Sequence, residues 1–275
     1  MQRIFIDSRD RVTGDNSEFT ISLPVSIVVP FESLAVLDTV LIPTSSYTIH
    51  EGNKVVYFNE TAANGADTWN GLSLVTGFYT PETLATELKQ TLNANPRKQV
   101  TPLYEVVYNA MKGKFEITCA VAGNETFTFL TTEWLMDNDL EPFFGIIDKS
   151  LLNDAGRPLG FTAGPPLVGQ ETSTTIRSPQ AVNLQPYSQM FIRGDLGVPF
   201  ASFGPRGEGN ILRRIVVTAP SNSMNYDAHV SHYDNIIVGP GSYNNFKFKL
   251  TSWDGKKIDL QGVPWSFSIV IFPRD

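Results

Sequence analysis

The sequence predicts an all-β protein, a sandwich or barrel of short antiparallel strands, with a small α+β insertion. Three observations predict it: an alternating apolar strand near the end of the chain, many short strand-like runs separated by glycine, proline and asparagine, and one amphipathic helix in the middle. With 275 residues, the chain can bury a large core either as one long β domain or as a domain plus an insertion.

The last thirty residues are predicted to form two strands of that core. Residues 246–250 alternate phenylalanine and leucine with lysine, and residues 265–272 alternate large apolar residues with serine and valine. Both runs have the two-residue period of a strand, and the second is apolar enough to be fully buried. Asp254 and Gly255 are suited to a tight reversal between them. A chain that ends in a core strand favours a sandwich.

The N-terminal region is predicted to contain two strands joined by a polar loop. The strands are residues 4–6 and 19–23, the loop is residues 7–16, and Pro24 is expected to end the second strand. Because structure is expected from residue three onward, we expect no secretory signal. No segment has the length and hydrophobicity of a transmembrane span.

Further strand patterns recur along the chain, with turn residues between them. They cover residues 34–42, 54–58, 104–108, 114–121, 126–130, 181–185, 189–193, 211–218 and 224–230. Two glycine- and proline-rich stretches, 148–175 and 197–210, are predicted to be long ordered loops that dock on something. Many short strands with this punctuation are typical of sandwiches and barrels.

One helix is predicted after residue 80. Thr80 is suited to cap it, Pro81 fits the first helical position, and residues 93–96 are expected to end it. Leucines at four-residue spacing form its apolar stripe: Leu84, Leu88 and Leu92. One helix among strands predicts an inserted domain over residues 61–175, so that residues 1–60 and 176–275 form the sandwich domain.

Composition restricts the partners of this protein. A net charge of −7 and a pI of about 5.0 argue against nucleic acid or an anionic membrane. Charged residues are 18% of the chain, below the usual share of about 25%. Together with 41% hydrophobic residues, this fits a protein whose surface is largely covered by other chains. The single cysteine, Cys119, is expected to be buried and indicates synthesis in a reducing environment.

The sequence offers little catalytic chemistry. Histidines are few, and His229 and His232 are expected to point to opposite faces of a strand, which does not suit a shared metal. The glycine-rich run 204–209 lacks phosphate-binding spacing, and no nucleophile elbow, Walker motif or Cys/His constellation is present. We therefore expect no enzyme activity, no catalytic, cofactor-binding or metal-binding residues, and no cofactor.

Two acidic clusters have a catalytic or metal-binding interpretation and a structural one. Asp137, Asp139 and Glu141 supply oxygens that suit calcium, but they lack the spacing of an EF-hand loop, and a solvated turn is the structural interpretation. The run 7–15 interleaves three aspartates with Arg9 and Arg11, a pattern that favours local salt links or an intersubunit contact over a carboxylate site.

One tripeptide is a candidate receptor-binding site. Arg193, Gly194 and Asp195 follow an apolar run, which places them at a strand end or in a loop. An exposed Arg-Gly-Asp presents opposite charges across a flexible glycine, as an integrin-type receptor requires. The structural interpretation is that glycine between two charged residues favours a turn.

Several segments, taken in order, resemble one family. They are 4–11, 19–24, 40–43 with Tyr47, 77–80, 143–145, and the closing stretch from Leu250 to Trp265. In this order they resemble the penton (minor capsid) proteins of virophages such as Mavirus and Sputnik and of related Polinton and adintovirus elements. The resemblance spans nearly the whole chain.

The resemblance implies a single jelly-roll β-sandwich that carries an insertion. It also implies a homopentamer at each fivefold vertex of an icosahedral capsid, in contact with trimers of the major capsid protein. The protein would then be part of the virion after synthesis in the host cytoplasm. Its partners would be other copies of itself, the major capsid protein and, through the Arg-Gly-Asp, a host receptor.

A second hypothesis is a lectin-like or receptor-binding attachment module on a jelly-roll scaffold. Such a module would present tryptophan or tyrosine in a groove, and Trp69 and Trp134 lie in the insertion, where they can be exposed. The oligomeric state distinguishes the two hypotheses, because a penton should form pentamers.

Overall fold

The chain folds into two compact units. The computed structural model describes residues 1–100, 102–170, 173–196, 209–229, 234–253 and 255–274. Residues 1–46 and 187–275 form one unit, here called the sandwich unit, and residues 47–186 form the other, here called the inserted unit. The sequence placed the insertion at 61–175. The structure extends it at both ends, because strands at 55–61 and 175–177 pair with strands of the inserted unit.

Strands dominate both units. In chain order they are β1 (Gln2–Asp7), β2 (Thr13–Gly14), β3 (Glu18–Val29), β4 (Ser33–Pro43), β5 (Val55–Thr61), β6 (Asp67–Ser73), β7 (Glu105–Asn109), β8 (Lys114–Thr118), β9 (Thr126–Phe129), β10 (Leu167–Gly169), β11 (Thr175–Arg177), β12 (Gln189–Gly194), β13 (Ile211–Val216), β14 (Met224–Asp227), β15 (Ile236–Val238), β16 (Gly241–Thr251) and β17 (Ser266–Pro273). Most of the sequence-predicted strands are present, and the all-β prediction is confirmed.

The predicted helix is confirmed as α1 (Pro81–Asn93). The Thr80 hydroxyl accepts a hydrogen bond from the Thr83 amide at 3.3 Å, and the Thr83 hydroxyl accepts one from the Thr80 amide at 2.9 Å. The leucine stripe is buried in the core of the inserted unit. Three short helices were not predicted, because four to six residues are too few to show periodicity. They are α2 (Thr132–Asp137), α3 (Glu141–Phe144) and α4 (Gly156–Leu159).

The sandwich unit contains two five-stranded antiparallel sheets in the described residues. One has the order β1-β17-β4-β14, with β15 also on β4, and the other has the order β13-β12-β16-β3-β2. Apolar side chains of both sheets pack into one core. The predicted single jelly-roll sandwich is therefore confirmed.

The closing strand lies inside this core. β17 pairs with β1 on one side and β4 on the other, and Ile269 is fully buried. Just before the strand, the Trp265 ring lies 5.6 Å from the ring of Phe19, and its Nε1 donates to the Asn16 carbonyl at 2.5 Å. The predicted core strand is confirmed. Of the predicted reversal before it, Asp254 lies outside the described residues, and Gly255 has a φ of 81°.

Two strand predictions were wrong. Pro24 does not end β3, which continues to Val29. Its ladder with β16 shifts register between Ser22 and Ile27, so the missing amide of Pro24 falls in the irregular stretch and costs no ladder bond. Residues 181–185 alternate like a strand but are irregular, and a backbone hydrogen bond from the Val182 amide to the Gly113 carbonyl ties them to a neighbour without forming a ladder.

The inserted unit has two smaller sheets, β10-β9-β5-β6 and β11-β8-β7. With α1 they enclose a second core, in which Cys119 is fully buried, as the sequence predicted. Burial raises the pKa of the Cys119 thiol to about 11. Among the described residues, no helix is long and apolar enough to cross a membrane.

Candidate functional site

The Arg-Gly-Asp tripeptide lies at the end of β12, next to β16. Arg193 and Gly194 are the last two residues of β12 and pair with Lys249 and Phe248. The Arg193 guanidinium donates to the Thr251 hydroxyl at 2.8 Å and to the Gly209 carbonyl at 3.2 Å. This arginine is therefore held against the sheet by its neighbours.

The glycine and the aspartate of the tripeptide continue the same packing. A Cβ atom on Gly194 would lie 2.8 Å from the Lys247 carbonyl oxygen and 2.8 Å from a methyl carbon of Leu212, so only glycine fits without movement. The Asp195 carboxylate accepts from the Lys247 amide at 3.0 Å. These contacts give the tripeptide a structural role, and receptor binding by it stays a prediction.

A shallow cleft of about 240 Å³ lies beside the tripeptide. Glu18 pairs with two lysines of β16 that line it, with Nζ–Oε distances of 2.9 Å to Lys247 and 3.7 Å to Lys249. The hydrogen bond from Lys247 holds the pKa of Glu18 below its usual value. Because this carboxylate is already paired with lysines, the cleft does not present free charge of one sign.

The N-terminal aspartates are not brought together. Asp7 pairs with the Arg9 guanidinium at 2.6 Å, which lowers the pKa of Asp7, and also accepts from the Arg9 amide. Asp15 pairs with Lys257 at 2.7 Å, and Arg11 donates to the Ser8 carbonyl at 2.7 Å. The Asp7–Arg9 and Arg11–Ser8 contacts are the local links that the structural interpretation predicted, whereas the Asp15–Lys257 pair joins distant segments of the chain.

The second acidic cluster forms the junction of two helices. Asp137 ends α2, and the Asp139 carboxylate accepts from the Glu141 amide at 3.2 Å as α3 begins. Within the described ranges, no group of three His, Cys, Asp or Glu side chains could hold a metal ion. His232, which the sequence places opposite His229, lies outside the described residues, as do residues 204–208 of the glycine-rich run.

Three polar groups, two of them buried and one partly buried, were not predicted. Glu60 is fully buried, accepts from the Tyr104 hydroxyl at 2.7 Å, and has a pKa raised by burial. Arg213 is buried in the sandwich unit and pairs with Asp227 at 2.8 Å. The Asp154 carboxyl accepts from the Thr132 hydroxyl, and burial raises its pKa to about 6. No sequence signal marks these groups, because their burial arises from distant segments.

An aromatic cleft of about 460 Å³ lies in the inserted unit, on one face of β5 and β6. The Trp69 ring is stacked at 6.0 Å on the ring of Trp134 and lies 4.3 Å from the ring of Phe143. The Tyr57 ring contacts Phe144 at 4.9 Å. The rings come from β5, β6, α2 and α3, so only the tertiary structure brings them together. Trp69 and Trp134 are each partly exposed.

The sandwich unit exposes apolar side chains along two strands. Phe5 of β1 is 76% exposed, and β1 pairs only with β17 in the described residues. In β3, Val25 is 74% and Val28 is 67% exposed, and within the described part of the chain this half of the strand pairs only with β16. Edges of this kind leave backbone groups and apolar surface available to another chain.

Comparisons with known proteins identify structural neighbours only. No protein-family model and no curated protein matches the sequence. The crystal structure of the mavirus penton protein matches over 98% of this chain and 99% of its own, with 13% sequence identity and a TM-score of 0.50. A chain in the cryo-electron-microscopy structure of the Sputnik virophage covers 98% of this chain and 97% of its own, with 12% identity and a TM-score of 0.49. The mavirus comparison shows a shared fold and confirms the predicted structural resemblance.

Proposed function

We propose that this chain is a viral capsid protein that forms a homopentamer at the fivefold vertices of an icosahedral particle. The observation that carries the proposal is the similarity to the mavirus penton protein along nearly the full length of both chains. Jelly-roll sandwiches support many functions, so a shared sandwich alone would be weak support. Here the alignment extends through the inserted unit as well, which makes the support stronger.

The exposed strands of the sandwich unit provide surface for self-association. Val25 and Val28 lie in the second half of β3, which pairs only with β16 in the described residues, and Phe5 lies on β1, which pairs there only with β17. Burying them against another copy would remove apolar surface from water and satisfy edge backbone groups. A head-to-tail contact between two different surfaces closes into a ring when its rotation is one-fifth of a turn.

The likeness to the mavirus penton protein also supports a set of other partners. The pentamer would contact trimers of the major capsid protein and would be located in the virion. A net charge of −7 favours protein partners over nucleic acid. The proposal gives the chain no catalytic role and no cofactor.

The oligomeric state of the purified protein tests the proposal. We expect mass photometry to find a species of five times the 30.4 kDa monomer mass, and negative-stain images to show five subunits around an axis. Both measurements should be made alone and after mixing with major capsid protein from the same virus. A monomer or a trimer under every one of these conditions would contradict the proposal.

A further inference from the structure

One of the residues that line the aromatic cleft of the inserted unit is a glycine. Gly71 in β6 lies directly opposite Tyr57 of β5. A Cβ atom on Gly71 would lie 3.3 Å from the Tyr57 ring, so any larger side chain would extend over that ring. Gly71 is exposed and does not have a positive φ, so its backbone does not require glycine. The Tyr57 side chain is itself buried, at 6% exposed, so the space that the small residue leaves open is that of the cleft beside the ring.

The wall of the cleft is a supported aromatic surface. Trp69 is partly exposed, and the rings of Trp134 and Phe143 pack against it. Leu135 and Leu140, which flank these rings in the chain, are fully buried in the same cluster. The indole is therefore fixed in orientation, and a flat ligand that stacks on it would lose little protein entropy.

Polar groups accompany the rings. Arg97 lines the same cleft and is exposed, and its guanidinium has no carboxylate partner among the described residues. Asn59, opposite Trp69 in the ladder but outside the lining of the cleft, has a buried Oδ1 atom without a hydrogen-bond partner in the part of the chain that the structure describes. A binding site typically combines an apolar surface with a few such polar groups, in a volume of about 300–1,000 Å³.

We propose that this cleft binds an acidic saccharide, a pyranose that carries a carboxylate or a sulfate. One face of a pyranose ring consists of slightly positive C–H groups, which complement the negative face of the Trp69 indole. The planar guanidinium of Arg97 matches a carboxylate or a sulfate with paired hydrogen bonds. A neutral sugar would offer no anionic group for the Arg97 guanidinium to bind. This inference goes beyond the capsid role and does not depend on it.

Saccharide titrations of the full chain test the proposal. The probes are the methyl glycoside of N-acetylneuraminic acid for a carboxylate, a sulfated heparin disaccharide for a sulfate, and methyl galactoside as the uncharged control. We expect saturation transfer from aromatic protein protons to ring hydrogens of at least one acidic probe. Its affinity should exceed that of the uncharged control by about tenfold, the worth of one charge-assisted hydrogen bond.

Two variants and one control locate the binding. Arg97→Gln should weaken the acidic probe about tenfold, to the level of the uncharged sugar. Gly71→Leu should abolish binding of both, because the new side chain would occupy part of the cleft that Gly71 lines. Arg157→Gln removes another exposed arginine of the same unit, outside the cleft, and should bind as the unmodified protein does.

Several outcomes would overturn the proposal. They are absence of binding by both acidic probes at millimolar concentration, equal affinity for the uncharged sugar, and unchanged binding by Arg97→Gln. Arg97 is exposed, so its replacement leaves the core intact. The binding measurement on Arg97→Gln therefore tests the proposal even if Gly71→Leu does not fold. Circular dichroism of each variant establishes which of them are folded.

Discussion

The carboxyl group of Asp154 shows how one residue makes the inserted unit sensitive to pH. Burial raises its pKa from 3.8 to about 6, although it accepts hydrogen bonds from the Thr132 hydroxyl and the Gly156 amide. The folded unit therefore holds this proton more tightly than the unfolded chain does. The contribution to stability is fully present below pH 3.8 and is lost as the pH rises to about 6.

Replacing this residue should remove that pH dependence. In Asp154→Asn, the decrease in the free energy of unfolding between pH 4 and pH 6 that is due to this carboxyl group should be absent. At pH 7 the variant should be more stable than the unmodified protein by up to about 3 kcal/mol, because one pKa unit corresponds to about 1.4 kcal/mol. Urea unfolding at several pH values measures both effects. Asp137→Asn, at an exposed carboxyl of the same unit, is the control. If the free energy of unfolding of Asp154→Asn falls with pH as steeply as that of the unmodified protein, the raised pKa is wrongly assigned to Asp154.

At the scale of elements, the distance between neighbouring strands determines how large a side chain each position can hold. β12 and β16 approach each other at Gly194, where the Lys247 carbonyl occupies the space that a side chain would need. The same contact explains why the Arg-Gly-Asp tripeptide is part of a sheet. Its aspartate is hydrogen-bonded to the backbone of β16, at the Lys247 amide.

A methyl group at this position should separate the two strands. We expect Gly194→Ala to lower the free energy of unfolding by about 1–3 kcal/mol, the usual cost of overpacking. Gly241→Ala is the matched control, since its Cβ atom would make only ordinary contacts, at 3.5 Å from the Tyr243 ring. Thermal unfolding of the two variants gives the comparison. Equal melting temperatures would show that the strands accommodate the methyl group.

At the scale of the whole molecule, the exposed part of β3 is the surface on which the pentamer proposal makes its sharpest prediction. Lysine on a strand edge opposes pairing with another chain, because its charge would have to be desolvated. Val25 and Val28 are exposed, so charged residues there leave the core of the sandwich unit unchanged.

The double variant Val25→Lys with Val28→Lys should therefore fold as a monomer. Mass photometry should show loss of the pentamer, while circular dichroism and the melting temperature stay near those of the unmodified protein. Val75→Lys, at an exposed valine of the inserted unit, should remain pentameric. Pentamers of the double variant would exclude β3 as part of the subunit contact.

The sequence alone determined the elements whose signal is local. The alternation before Phe272 predicts β17, and the Thr80 cap with its leucine stripe predicts α1, because burial on one face imposes a period that can be read without knowing the partner. Short strands such as β10 and β15, at three residues each, are too brief to show any period. The continuation of β3 past Pro24 depends on the register of β16, which lies more than two hundred residues away in the chain.

Only the tertiary structure decided what the candidate sites are. The sequence presents Arg193, Gly194 and Asp195 as a receptor motif, whereas their role in the sheet follows from packing against Lys247. It presents Trp69 and Trp134 as separate residues. Their stacking beside Gly71 and Arg97 requires that strands and helices distant in sequence fold onto one surface. Periodicity records which face of an element is buried, but a site is a meeting of several elements, and that information lies in the long-range contacts.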